Sequence, residues 1–389
     1  MSQELINLSE DLKRLRDEGY ELEIRGGYAL VHHIPYVNLN RELKYGTLIS
    51  SLTLAGNKTT RPDNHVIHFQ GEHPCNKEGN ILTGIQYMSQ ENLLGEGISI
   101  NHSFSNKPSN GYQNYYEKFT SYIEVIRAPA YSLDSTVSAR TYIDHQQSSD
   151  SVFNYFDTNS SRANIGMASN KLENQKVGIV GLGGTGSYVL DFVSKTPVLE
   201  IHLFDGDDFL QHNAFRAPGA PSIENLRERK KKTDYFKDIY SHMHKSIFSH
   251  SEFLVEDNLH ELINMDFVFI CVDEGVIKKA IIKELIKNDK SFIDVGIGIE
   301  IVGNSLIGEI RVTTSTPNDN RTHLWERISF SDSQKDEYAS NIQIADLNAL
   351  NAVMAVIKWK KIHGFYQDIY KELNSTYSIN TGEMINAYE

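Results

Sequence analysis

Cysteine is scarce in this sequence: Cys75 and Cys271 are the only two among 389 residues. Two thiols cannot supply a four-cysteine zinc cluster or a disulfide framework, and such scarcity is typical of proteins in a reducing compartment. No apolar run approaches the roughly 18 residues that a membrane-spanning helix needs, and the amino terminus has no signal-peptide pattern. We therefore expect a soluble cytoplasmic protein that does not enter a membrane.

An excess of positive charge is also missing. The chain has 38 Lys and Arg against 51 Asp and Glu, a formal net charge of −13. A surface that neutralises successive phosphates needs the opposite balance, so nucleic acid is excluded as a partner. Only 9 Pro and 26 Gly accompany 40% hydrophobic residues, which excludes a disordered or collagen-like chain. The length fits two globular domains.

The composition changes along the chain and divides it in two. The first part has a helical pattern at 4–16, and 115–126 reads as a helix or a long strand. Between them lie short runs rich in β-branched and aromatic residues, at 28–32, 47–54 and 65–69. Residues 146–174 are rich in Ser, Asn, Asp and Gln, as linkers are. We expect a smaller α+β domain at 1–155 and a second domain at 156–389.

The second domain has the pattern of an α/β protein. A strand at 177–180, a glycine-rich turn at 181–186, a helix at 187–194 and a strand at 200–204 form one βαβ unit. The alternation continues with a helix at 232–244, a strand at 266–272, a helix at 276–287, a strand at 291–295 and a helix at 344–361. This alternation predicts a doubly wound, Rossmann-like sheet.

The turn at 181–186 predicts a nucleotide site. Glycine lets the backbone approach a phosphate, and the following helix N-terminus supplies N–H donors and positive potential. The glycines of this turn are Gly181, Gly183, Gly184 and Gly186. Asp205 ends the next strand, close to the offset of about 20 residues at which an acid contacts ribose. These residues alone are also compatible with an NAD(P)-dependent oxidoreductase.

The segment that follows Asp205 contains polar and charged side chains that a simple hydride-transfer site does not need. Asp207, Asn213 and Arg216 lie within twelve residues of the ribose position. A guanidinium suits triphosphate oxygens, and an amide can orient a phosphate or a water molecule. A solvated polar loop is the alternative interpretation.

These spacings resemble the ThiF/MoeB family of ubiquitin-activating-like adenylyltransferases over about residues 156–360. In that family an Asn and an Arg follow the first Asp of a D-x-D motif by eight and eleven residues, as Asn213 and Arg216 follow Asp205. Lys232 fits the family lysine that opens a helix, although Lys230 and Lys231 leave its register open.

Two further positions resemble the family. Asp273 matches the aspartate that holds magnesium there, with Glu274 in place of the usual Asn. Arg162 resembles an arginine that a dimer partner lends to ATP, a linker arginine being the alternative. The N-terminal part resembles the extra domain that accompanies ThiF-type proteins in bacterial ubiquitin-like modification operons. That resemblance depends on residues 105–108, 115–118 and 348–352.

The resemblance implies ATP- and Mg-dependent adenylation of the C-terminal carboxylate of a ubiquitin-like or sulfur-carrier protein. It implies that the glycine turn, Asp207 and Asn213 bind the nucleotide, Asp205 its ribose, and Asp273 the magnesium ion. Arg216, Lys232 and Arg162 would neutralise phosphates. A homodimer and a downstream conjugating protein are implied partners, with the N-terminal domain docking carrier or acceptor. A catalytically inactive assembly platform is a further alternative, besides the oxidoreductase.

The sequence departs from the family in its cysteines. Many members carry a catalytic cysteine in a loop that corresponds here to 308–327, which has none and offers the Thr/Ser run 313–316 instead. Cys271 is expected inside a buried strand, and Cys75 is the only cysteine that could be exposed. We therefore expect the adenylate to be passed on without a thioester on this chain.

Overall fold

The computed structural model describes residues 2–95, 97–143, 151–155, 157, 159–160, 165–319, 321–330 and 342–388. The chain forms two units. The N-terminal unit comprises Met1–Ser151 and Tyr155–Ala163, and the C-terminal unit comprises Val152–Asn154 and Asn164–Glu389.

The N-terminal unit is α+β, as predicted. Its helices are α1 (Ser2–Leu8), α2 (Glu10–Asp17) and α3 (Tyr115–Leu133). Its strands are β1 (Leu22–Arg25), β2 (Tyr28–Val37), β3 (Leu43–Ser51), β4 (Leu54–Ala55), β5 (Lys58–Thr59), β6 (Val66–Gln70), β7 (Gln86–Gly95) and β8 (Ile98–Ser105). Six of them form an antiparallel sheet in the order β1-β2-β3-β6-β8-β7, and β4 pairs with β5.

Residues 115–126, for which the sequence allowed a helix or a long strand, belong to helix α3. The side chain of Asn114 caps the helix by accepting from the Glu117 N–H. Phe119, Tyr122 and Ile126 recur at helical spacing and are fully buried in the core of this unit. The apolar stripe packs against β2, which explains why a segment rich in aromatic residues is helical here.

The C-terminal unit is built on an eight-stranded mixed sheet. Its strands are β9 (Lys176–Val180), β10 (Glu200–Phe204), β11 (Ile247–His250), β12 (Phe267–Ile270), β13 (Ser291–Val302), β14 (Ser305–Ser315), β15 (Asn374–Ser378) and β16 (Met384–Ala387). The order is β11-β10-β9-β12-β13-β14-β15-β16; the first five strands run parallel and the rest pair antiparallel. The parallel part confirms the Rossmann-like expectation.

Helices cover both faces of this sheet. They are α4 (Gly166–Ser169), α5 (Gly184–Val193), α6 (Gln211–Ala214), α7 (Ile223–Glu228), α8 (Lys232–Tyr240), α9 (Gly275–Lys287), α10 (His323–Arg327) and α11 (Ala345–Ile362), with 3₁₀ segments at Asn170–Leu172 and Glu256–Asn264. Apolar residues of α5 and α11 join one hydrophobic cluster and those of α9 and α10 another. None of the described helices is long and apolar enough to cross a membrane.

The strand order places a crevice beside β9. The chain leaves β9 for β10 and β11 on one side, then returns to β12 and β13 on the other. In open α/β sheets, ligands bind where the strand order reverses, at the carboxyl ends of the strands. The glycine turn therefore lies at the position where this fold class binds nucleotides.

One buried charge interrupts the core of the N-terminal unit. Lys118 on α3 is fully buried, and its Nζ donates to Ser50 Oγ at 2.9 Å. Burial lowers the pKa of Lys118 to about 8, against an opposing effect of the Asp63 charge. Because a buried ammonium loses its hydration, Lys118 destabilises this unit at neutral pH.

Lys118→Met should raise the thermal stability of the N-terminal unit at pH 7. The fall in pKa from 10.5 to about 8 corresponds to a cost of about 3 kcal/mol. The unfolded state binds more protons between pH 8 and 10.5, so wild-type stability should rise with pH across that interval and the variant's should not. Thermal denaturation of both proteins at pH 7 and pH 10 measures this. The same pH dependence in the two would contradict it.

Candidate nucleotide-binding site

The glycine turn is held by close backbone approaches. Gly181 follows β9 with a φ of +85°, and a Cβ there would lie 2.9 Å from the Cys271 carbonyl oxygen. A Cβ on Gly186 would lie 1.8 Å from the carbonyl oxygen of Gly181. Gly181 in the turn and Gly186 in the first turn of α5 are therefore required for this backbone packing, whatever the site binds.

The other two glycines differ in their surroundings. A Cβ on Gly184 would overlap the side chain of Asn348, at 1.9 Å from Nδ2. Gly183 instead faces open space, with the Gln343 Oε1 atom nearest at 3.9 Å. A ligand can thus approach the backbone at Gly183, whereas Gly184 serves packing against α11.

Asn348 is a site residue whose role the sequence did not indicate. It is buried on α11, its Oδ1 accepts from Thr185 Oγ1 at 3.2 Å, and its Nδ2 donates to the Arg216 carbonyl oxygen at 3.2 Å. It therefore joins the start of α5 to the loop that carries Arg216. The Asn-x-x-Asn spacing within a helix was the only available signal, and it does not identify the partners.

Asp205 and Lys232 form a buried ion pair beside the turn. Asp205 accepts the Leu182 N–H at 2.7 Å through Oδ2 and the Asp207 N–H at 2.9 Å through Oδ1. The Nζ of Lys232 lies 3.4 Å from Asp205 and 2.7 Å from Asp207. The side chains of Asp205 and Lys232 are each 7% exposed, whereas that of Asp207 is 56% exposed. A buried carboxylate and a buried ammonium thus meet at the end of β10.

The three consecutive lysines face different partners. Lys230 pairs with Glu228 and Asp238, and Lys231 pairs with Asp208. Of the three, Lys232 alone is buried and reaches Asp205. This geometry favours the register proposed from the sequence.

Arg216 and Asn213 bring unsatisfied donors to the same place. The Nε of Arg216 and the Nδ2 of Asn213 are buried, with no hydrogen-bond partner in the described part of the chain. Burial lowers the pKa of Arg216, opposed by the charges of Asp273, Asp207 and Asp205. Buried donors without acceptors cost free energy, so the site is arranged for an electron-rich ligand such as a phosphate.

Asp273 brings a carboxylate to the opposite side of the crevice. It lies on the exposed turn after β12, and its charge acts on Arg216. Among the described residues, no three His, Cys, Asp or Glu side chains form a metal-binding group. Magnesium is commonly held by one or two carboxylates together with substrate phosphates, a mode that Asp273 fits. Arg162 lies outside the described residues, so its role stays a prediction.

The structure shows the surroundings of three candidate nucleophile positions. Cys75 is buried rather than exposed, its Sγ donates to the His73 carbonyl at 3.3 Å, and burial raises the pKa of its thiol. Cys271 lies one residue beyond β12, not inside it, and burial raises its pKa too. The expected loop at 308–327 is mostly strand β14 and helix α10. Strand β14 pairs with β13 and β15, and Thr313–Ser315 are buried within it.

A glycine turn at the switch point of a parallel sheet, with an acid ending the next strand, defines a Rossmann-type nucleotide-binding fold. Within that class, the chain belongs to the ThiF family, whose model matches residues 158–362. Residues 10–158 match a domain of unknown function, DUF6791. The ThiF match confirms the resemblance that the sequence showed over about residues 156–360.

Solved structures with a similar chain include E. coli MccB with ATP, at 18% identity and a TM-score of 0.44, and E. coli MccB with succinimide, at 17% and 0.46. Each alignment covers 57% of this chain, which spans 66% of the MccB chain, just under two thirds. PaaA aligns at 16% identity and a TM-score of 0.48, covering 77% of this chain and 98% of its own. No curated protein matches the sequence significantly.

Gly186→Ala should lower the free energy of unfolding of the C-terminal unit by about 1–3 kcal/mol, because the new Cβ meets a backbone oxygen that cannot rotate away. Gly298→Ala is the matched control, since a Cβ there has no heavy atom within 4 Å. Chemical denaturation of both variants and the wild type measures the difference. Equal stabilities of the two variants would show that the turn is not packed in this way.

Proposed function

We propose that this chain uses ATP to adenylate the C-terminal carboxylate of a protein or peptide, and that the natural substrate is a ubiquitin-like or sulfur-carrier protein. Membership of the ThiF family supports the reaction class. The observation that carries the proposal is the pair of buried, unpartnered donors on Arg216 and Asn213 beside the buried Asp205–Lys232 pair. A dinucleotide-dependent hydride transfer has no evident use for these donors.

In the proposed reaction, a carboxylate oxygen attacks the α-phosphorus of ATP. A new P–O bond forms, and the bond to the bridging oxygen breaks so that pyrophosphate leaves with the electron pair. The carboxylate is already ionised at neutral pH, so no general base is needed. Catalysis therefore depends on positioning and on neutralising charge at the phosphates.

The charged residues divide these tasks. Asp205 is oriented by two backbone N–H groups, so its remaining lone pairs are available to ribose hydroxyls. Arg216 supplies a guanidinium to the phosphates, and Lys232 can exchange its contact with the exposed Asp207 for a phosphate oxygen. Asp273 would hold magnesium, which supplies further positive charge to the phosphates when bound.

The partners follow from the same proposal. We assign carrier or acceptor docking to the N-terminal unit and infer a cytoplasmic homodimer in which Arg162 reaches the partner's ATP. Both cysteines have raised thiol pKa values, which disfavours the thiolate. The adenylate would therefore pass directly to another protein, such as a conjugating protein, or to a hydroxyl.

Calorimetry and pyrophosphate exchange test this function together. Mg-ATP should bind, NAD(H) should not, and candidate ubiquitin-like proteins should stimulate exchange of labelled pyrophosphate into ATP. NAD(H) binding without ATP binding would indicate an oxidoreductase instead. Binding of neither would leave the assembly-platform alternative.

Arg216→Gln should weaken Mg-ATP binding by roughly 10- to 100-fold, since it removes charge-assisted hydrogen bonds to phosphate. The fold should be retained, because Asn348 contacts only the backbone of Arg216. Arg227→Gln, on the exposed face of α7, is the control and should bind like wild type. Unchanged ATP affinity in Arg216→Gln would remove this residue from the site.

A further inference from the structure

Three charged side chains meet between α9, β13 and β14. Asp294 accepts from Arg311 Nη2 at 2.6 Å, and Lys278 Nζ lies 3.3 Å from its other oxygen. The side chains of Asp294, Lys278 and Arg311 are 0%, 6% and 14% exposed. This charged cluster has no part in holding the nucleotide as described above.

The cluster contains two cations and one carboxylate, so it carries one excess positive charge. Within the described ranges, neither Lys278 nor Arg311 forms an ion pair with another acid. Glu309, two residues before Arg311 on β14, is exposed. Cys271 interacts electrostatically with Asp294 and Lys278, but the raised pKa of its thiol keeps it neutral.

The neutral neighbours do not compensate this charge. Thr313 Oγ1 accepts from Arg311 and donates to Asn374 Oδ1 at 2.7 Å, which uses its one proton. The one carboxylate is shared between both cations, since its Oδ1 atom faces Lys278 and its Oδ2 atom faces Arg311. An uncompensated buried cation is costly, so the cluster is suited to a bound anion.

Strand register places the cluster near the proposed chemistry. Asp294 pairs with Ile270, which pairs in turn with Val180, the residue before Gly181. Adjacent strands are about 4.8 Å apart, so the cluster lies about 10 Å from the glycine turn at the same edge of the sheet. Arg311 is its most exposed member and is the one that an incoming group would meet.

We propose that Arg311, supported by Lys278, binds the terminal carboxylate of the substrate chain as it enters the site. This inference rests on the proposed adenylation. A monoanion matches the single excess charge, and a guanidinium can bind a carboxylate through two parallel hydrogen bonds. The phosphates already have Arg216 and Lys232 on the other side of β12. The cluster thus selects a free carboxylate over a neutral amide.

The test measures binding of N-acetylglycine, N-acetylglycinamide and inorganic pyrophosphate to the full chain, by calorimetry at constant ionic strength without ATP. N-acetylglycine should bind the wild type, and its affinity should fall by about tenfold or more in Arg311→Gln. The amide should bind neither. Arg321→Gln is the control, because the Arg321 side chain is similarly buried, at 12% exposure, and pairs with Asp289 instead.

Several results would overturn the proposal: no binding of N-acetylglycine to folded wild type, equal affinity in Arg311→Gln, or Arg311-dependent binding of pyrophosphate alone. Should Arg311→Gln fail to fold, Lys278→Met also leaves one cation per carboxylate and should lose the same affinity. The binding test contains no nucleotide, so it is independent of the exchange test. If N-acetylglycine binds in an Arg311-dependent way but pyrophosphate exchange fails, the proposed function is contradicted and the anion site is not.

Discussion

The carboxylate of Asp205 is the contact on which the candidate site depends. It lies at the end of β10, yet it accepts the Leu182 N–H from the turn after β9 and faces Lys232 at the start of α8. Three chain segments are thereby fixed around one buried charge. The backbone N–H and the ammonium together compensate the loss of hydration that burial imposes on this carboxylate. The Arg216 loop is then held from the other side by Asn348.

Compensation of buried charge also explains why the site is poised for an anion. Asp205 has its partners within the protein, whereas the buried nitrogens of Arg216 and Asn213 have none among the described residues. The Lys278–Asp294–Arg311 cluster shows the same imbalance one strand beyond β12. These unmatched donors and charges are the basis of both proposals, a nucleotide at one position and a carboxylate at the other.

Local patterns were sufficient for part of this structure. The strand at 177–180 and the helix at 276–287 are close to where the sequence placed them, because each has its own periodicity. The turn predicted at 181–186 is shorter, since helix α5 already begins at Gly184. The strand predicted at 291–295 extends to Val302, since its outer half is exposed and pairs with β14 instead of continuing an apolar run. The loop expected at 308–327 was wrong for the same reason: pairing across a hairpin turned a Thr/Ser run into a buried strand.

By itself, the sequence determined the fold class and the local order of polar groups from Asp205 to Arg216, because turns, helices and strands of a βαβ unit depend on residues close together in the chain. Only the tertiary structure decided which groups meet. Asn348 reaches Gly184 and Arg216, and Arg311 reaches Asp294, through strand register and helix packing between distant segments. Burial likewise decided the environments of Cys75 and Lys118. Desolvation depends on everything packed around a side chain, and no local spacing specifies that.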